Sequence, residues 1–233
     1  MGVDVFFVIS GYVITAMLLR RGADRGHIGF ADFYARRARR LMPALALLSV
    51  VVALGSMAAL SPLGPQQVTA RTGTAATLLV ANVQLSRVGV AGYFDLAAEA
   101  NAMLHTWSLS VEEQFYLVFP ALLLVAWRLA RRFPIRRSSR ATLLAVVGLA
   151  TAASFALSIA TAYHGSAVLG NTFAFYSVAS RGWEFGVGII LAVVAARARS
   201  IPSTVAVGGG VLGVALVVGA ALVVEPSTAV PGL

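Results

Sequence analysis

Four short stretches of this sequence place charged side chains inside or beside apolar runs. The first is GVDVFFVISGYVIT (2–15), with Asp4 near its start and Ser10 and Gly11 about two helical turns further on. The second is FYARRARRLMPA (33–44). Arg36 and Arg40 are spaced i,i+4 there and Arg37 and Arg40 i,i+3, which puts them on one helical face. The third is HTWSLSVEEQFYLVFP (105–120): Ser108, Glu112 and Phe115 share a face, and His105 stands one turn before Ser108. The adjacent carboxylates Glu112 and Glu113 diverge by about 100° around the helix. The fourth is SRGWEFGVGIILA (180–192), with Arg181 and Glu184 spaced i,i+3.

These residue types suggest a definite chemistry. A cluster of guanidinium forks suits phosphate. A carboxylate orients a base or a hydroxyl, and histidine takes a proton near neutral pH. Each place also has a plainer reading. Asp4 can be interfacial and Gly11 a packing residue. The arginines can touch anionic lipid headgroups. Arg181 and Glu184 can pair with each other, and Trp107 and Trp183 can anchor helices at the interface. Against the plainer readings, an ionisable group within a span costs roughly 2.5–3.5 kcal/mol on insertion scales and points to function by default. His27 and His164 fall in connections and read as surface residues.

The elements that must position these residues are transmembrane helices. Of 233 residues, 59% are hydrophobic and only 12% charged. A water-soluble domain carries about 25% charged residues, so an ordinary cytosolic enzyme is excluded. The sequence predicts an all-α polytopic bundle of about six spans: Val3–Leu19, Leu41–Leu60 with Pro43 near its start, Leu109–Trp127, Ala141–Ala160, Trp183–Ala196 and Val205–Val224. The stretch Thr74–Leu85 is too short to cross and reads as re-entrant or interfacial. The run Gly208-Gly209-Gly210 follows no strand and reads as helix packing, not as a phosphate loop. No soluble domain or linker is evident, so residues 1–233 read as a single, partial transmembrane domain. With no cysteine and three scattered histidines, no metal site is expected.

All 18 basic residues are arginine. They lie in blocks between apolar runs, which is a topology signal and not a nucleic-acid footprint. Seven fall between residues 20 and 40, six between 128 and 140, and two follow the fifth span, against three in the alternate connections. This bias places the basic loops in the cytoplasm and both termini outside. A start on the outer face without a basic leader suggests that the chain is a piece of a longer protein.

The four stretches occur in an order that resembles the membrane acyltransferase family 3. The resemblance runs from Gly2 to about Ala196. It implies an O-acyltransferase that takes an acyl group, usually acetyl, from acyl-CoA in the cytoplasm and gives it to a hydroxyl, often of a cell-envelope glycan. It implies acyl-CoA as a donor substrate, with no resident cofactor. The partners it implies are the lipid bilayer, acyl-CoA and the glycan. On this likeness Arg36, Arg37 and Arg40 hold the CoA phosphates. Asp4 and Glu112 orient the reacting groups, and Trp107, Ser108, Arg181 and Glu184 bound the acceptor. The family histidine regarded as catalytic sits on a helix upstream of the Gly-Val-Asp motif and has no counterpart here. His105 is the histidine nearest the motif and stands as the candidate base of this chain. Without that helix the chain as given is expected not to catalyse transfer. The alternative is a transporter of an acyl or glycan substrate, in which the intramembrane charges serve as binding or relay groups.

Overall fold

A computed structural model describes residues 2–25, 30–88, 101–132, 139–164, 170–196 and 203–223. Among these the regular elements are all helices. They are α1 (Gly2–Arg25), α2 (Phe30–Ala59), α3 (Pro65–Thr77), α4 (Ala81–Val88), α5 (Thr106–Arg132), α6 (Ser139–His164), α7 (Gly170–Tyr176), α8 (Val178–Ala195) and α9 (Ser203–Val223). Five apolar stretches are long enough to cross a membrane: α1, α2, α6, the α7–α8 unit and α9. α5, with 27 residues, extends about 40 Å and is also of spanning length. The expected all-α polytopic bundle is therefore what the chain forms. His27, Arg197, Arg199 and the centre of the 128–140 connection lie outside the described residues.

The core is a three-helix packing of α8 between α1 and α6, with α5 against α6. Lipid tails are as apolar as leucine, so close backbone approach has to supply the helix association. α8 meets this need with glycines on two faces. Gly188 lies so close to the Val8 carbonyl of α1 that a methyl there would overlap it, and Gly11 lies equally close to the Phe185 carbonyl. On the other face, Gly182 and Gly186 form a small-xxx-small pair against Ser154 and Thr151 of α6. The stacked rings of Phe7, Phe185 and Phe115, with centroids 4.5 and 4.0 Å apart, join α1, α8 and α5 into one aromatic column.

Three features differ from the hydropathy reading. α2 begins at Phe30, so Pro43 stands well inside the helix and not in its first turn. Proline has no N–H, so the Arg39 carbonyl loses its usual helical partner. The stretch Thr74–Leu85 is the end of α3, a break, and α4. At the break Leu79 adopts φ +59°. The Gly208–Gly210 run packs against nothing: no described atom lies within 4 Å of where a Cβ would stand, and α9 is exposed along nearly all its length. A uniformly apolar helix has no preferred face, which suits contact with lipid.

Candidate active site

α5 enters the bundle through a tight turn. The Met103 N–H donates to Asn101 Oδ1 at 3.1 Å, and the Thr106 hydroxyl donates to the Met103 carbonyl at 2.7 Å, closing the first turn. Two turns into the helix, Glu112 is buried. Its Oε1 accepts from the Ser10 hydroxyl of α1 at 2.7 Å and from the Tyr116 hydroxyl one turn on, also at 2.7 Å. Arg37 of α2 reaches the same oxygen at 3.3 Å through its NH2 group, and its Nε donates to Glu113 Oε1 at 2.6 Å. The Arg37 guanidinium lies 3.5 Å from the centre of the Tyr116 ring. Tyr34 donates to the Tyr116 carbonyl at 3.1 Å. One guanidinium thus bridges the two diverging carboxylates, and three helices meet on Glu112.

A second charged cluster stands at the starts of α1 and α8. Arg181 is 1% exposed and Glu184 is fully buried. Arg181 pairs with Glu184 Oε1 at 3.1 Å, as its i,i+3 spacing allows, and also with Asp4 of α1. The rings of Phe7, Trp107 and Phe175 surround the guanidinium at 5.4–5.6 Å. Trp107 is therefore an interior wall of this cluster and not an interfacial anchor. Aromatic faces favour a cation, and the effect grows when water is excluded. Both clusters hold two carboxylates for one guanidinium. Asp4 and Ser10 are six positions apart on α1, about 9 Å of helix.

Two sequence candidates that stood apart, Asp4 and the Arg181–Glu184 pair, are thus joined. Arg37 and Glu112 are joined likewise. Within the arginine stretch the residues separate: Arg37 turns inward at 26% side-chain exposure, while Arg36 and Arg40 are exposed. His105 is exposed in the turn before α5, outside both clusters. Its carbonyl accepts from the Ser108 hydroxyl at 3.2 Å, so Ser108 serves the start of the helix.

Sequence reasoning passed over Ser10 and Tyr116 as partners of Glu112, and Glu113 as a partner of Arg37. The i,i+4 spacing of Glu112 and Tyr116 was the available signal. It also passed over a brace of amides under the site. Gln114 and Asn82 exchange hydrogen bonds at 2.8 and 3.2 Å. Gln114 donates as well to the Leu79 carbonyl at 2.8 Å, and Asn82 to the Tyr176 carbonyl at 3.0 Å. This brace clamps the α3–α4 break against α5 and α7.

Charged groups held in pairs between spanning helices define a polytopic membrane protein with an intramembrane polar site. The chain belongs to acyltransferase family 3, whose "Acyltransferase domain" model matches residues 1–231. A Haemophilus influenzae (strain ATCC 51907 / DSM 11121 / KW20 / Rd) relative named "Uncharacterized protein" is 34% identical over 125 residues, 54% of this chain and 49% of its own. The Staphylococcus aureus (strain COL) protein named "Putative O-acetyltransferase SACOL0978" is 36% identical over 140 residues, 53% of this chain and 20% of its own. The Bacillus subtilis (strain 168) protein named "Putative peptidoglycan O-acetyltransferase YrhL" is 32% identical over 197 residues, 83% of this chain and 28% of its own. The chain therefore spans half or less of the length of these relatives. No solved structure matches it.

Proposed function

We propose that the chain forms transmembrane machinery of an O-acyltransferase that moves an acyl group, acetyl in the first instance, from acyl-CoA to a hydroxyl of a cell-envelope glycan. Family membership and the names of two relatives support the reaction class, and the Bacillus subtilis relative's name favours a glycan acceptor. The observation that carries the proposal is the buried Glu112 held by Ser10, Tyr116 and Arg37. A positioned carboxylate at this depth needs a task worth its desolvation.

In the transfer an alcohol oxygen attacks the thioester carbon. The C–O bond forms, the C–S bond breaks, and the alcohol proton passes by way of a base to the departing thiolate. The described side chains place no imidazole at either cluster, and three donors already bind Glu112 Oε1. Glu112 therefore acts as an orienting group, and Arg37 fixes it in place. The exposed pair Arg36 and Arg40, one turn apart, takes the CoA phosphates. The trio assigned to CoA on the family likeness thus becomes a phosphate-binding pair and an anchoring third residue. The second cluster, ringed by Trp107, faces the acceptor. In this reading the arginine-rich connections are cytoplasmic, as the fifteen-to-three division of arginines favours.

The test uses inverted membrane vesicles from cells that make the protein in its natural chromosomal setting, supplied with acetyl-CoA labelled in the acetyl group. The expected result is label in an ester that hydroxylamine releases, together with an equal amount of free CoA. Replacement of Arg36 or Arg40 by Ala should raise the donor concentration needed. Label that crosses the membrane without forming an ester would establish the transporter alternative.

A further inference from the structure

α5 runs on through Pro120. Proline has no N–H, so the Tyr116 carbonyl, one turn earlier, loses the partner that residue 120 would otherwise supply. Within a spanning helix such a freed group is satisfied by a neighbouring helix. Here α2 does this. The Tyr34 hydroxyl donates to the Tyr116 carbonyl at 3.1 Å and lies 3.4 Å from the Leu117 carbonyl, the next along α5. The same stretch of α2 holds the Tyr116 side chain from two sides. Phe33 meets its ring edge-on, with centroids 6.3 Å apart, and the Arg37 guanidinium lies 3.5 Å from its centre.

A second proline gives this contact its consequence. Pro43 interrupts the hydrogen-bond ladder of α2 just after the arginine stretch. The segment 30–42, which carries Arg36, Arg37 and Arg40, is therefore tied less firmly to the rest of its own helix. Its contacts with α5 then fix its position. We propose that Tyr34 is a positioning residue for acyl transfer: its hydroxyl fills the carbonyl that Pro120 leaves open and so latches the arginine-bearing start of α2 onto α5. Tyr34 acts through Arg37, one turn along the same face, which bridges Glu112 and Glu113. Its part in turnover rests on the O-acyltransferase reading, while the latch itself does not.

The experiment compares Tyr34→Phe, Pro120→Ala and the double variant. Tyr34→Phe removes one hydroxyl and keeps the ring. Pro120→Ala returns an N–H to α5, which pairs the Tyr116 carbonyl from within the helix. In SDS unfolding of the purified chain, Tyr34→Phe should lower the midpoint. Pro120→Ala should raise it more in the Tyr34→Phe background than in the parent, because only there is the carbonyl orphaned. Equal gains in both backgrounds would overturn the pairing of Tyr34 with Pro120. Turnover is read as CoA release in the inverted vesicles described above. Tyr34→Phe should lower kcat about tenfold, within the roughly 10²-fold that a misplacement of about 1 Å can cost, and leave KM for acetyl-CoA nearly unchanged. The double variant should keep the low kcat, since α5 then satisfies itself and the tie to α2 is still missing. Parent kcat in Tyr34→Phe, or recovery of kcat together with stability in the double variant, would overturn the positioning role. A third readout needs no activity. Spin labels on Met42→Cys and Val118→Cys, both exposed and in a chain without native cysteine, should give a narrow distance distribution in the parent and a broader one in Tyr34→Phe. Equal widths would overturn the latch. Broadening in a protein whose parent releases no CoA refutes the transferase reading alone, and CoA release with equal widths refutes the latch alone.

Discussion

Replacing Arg37 by Ala should destabilise the bundle by about 2 kcal/mol, whereas Arg36→Ala should change stability by less than about 0.5 kcal/mol. Arg37 bridges Glu112 and Glu113 at 3.3 and 2.6 Å. Removing one partner of a buried ion pair costs roughly 3–5 kcal/mol, because the remaining charge is stranded. Two features lower the figure here. The Arg37 side chain keeps 26% exposure, so solvent screens part of its field. Glu112 also retains the hydroxyls of Ser10 and Tyr116 as donors. About 2 kcal/mol is a shift of roughly thirtyfold in the unfolding equilibrium. Arg37→Lys should fall between parent and Ala, since a single ammonium cannot bridge both carboxylates or stack as a plane on Tyr116. The triple variant Arg37→Met, Glu112→Gln, Glu113→Gln should recover most of the loss, because all three charges leave together. The assay is unfolding of the purified chain in mixed micelles with rising SDS, read by helical circular dichroism. Equal midpoints for Arg36→Ala and Arg37→Ala would refute the anchoring role and favour headgroup contact. A triple variant weaker than Arg37→Ala would refute the charge argument.

Three further outcomes are expected. Gly188→Ala should cost roughly 1–3 kcal/mol or more in the same assay through overlap with the Val8 carbonyl, whereas Gly208→Ala should be neutral or stabilising by up to about 1 kcal/mol; similar midpoints would mean that α1 and α8 do not cross there. Arg181→Met should be more damaging than Arg37→Met, because each loss strands two carboxylates but Arg181 is 1% exposed against 26% for the Arg37 side chain and Glu184 is fully buried; the reverse order of SDS midpoints would contradict the described burial. In intact cells an impermeant thiol reagent should label Ala97→Cys and not Ser138→Cys, a clean measurement because the chain has no native cysteine; the opposite pattern would reverse the topology.

Much of the architecture was legible from one-dimensional patterns. Apolar runs of spanning length located the helices, because a bilayer demands about 20 apolar residues wherever the chain crosses. The i,i+3 spacing of Arg181 and Glu184 anticipated their pairing, because helix geometry alone brings such residues together. Polar residues in apolar surroundings marked Asp4, Arg37 and Glu112 as candidates, because burial there is costly.

Which residues meet was decided only in three dimensions. Asp4 and Arg181 are 177 positions apart, and Ser10 and Glu112 are 102 apart. Spacing could not choose among Arg36, Arg37, Arg39 and Arg40, since each has the charge and reach required. The rotation of α2 that presents Arg37 and Tyr34 to α5 made that choice. In a soluble helix an apolar stripe reveals the buried face, but these helices meet lipid on one side and protein on the other, and both are apolar. Their rotation and register are set by sterics, such as the overlap any side chain would cause at Gly11 or Gly188, and by a few charge-assisted contacts. Such contacts exist only once the helices are packed.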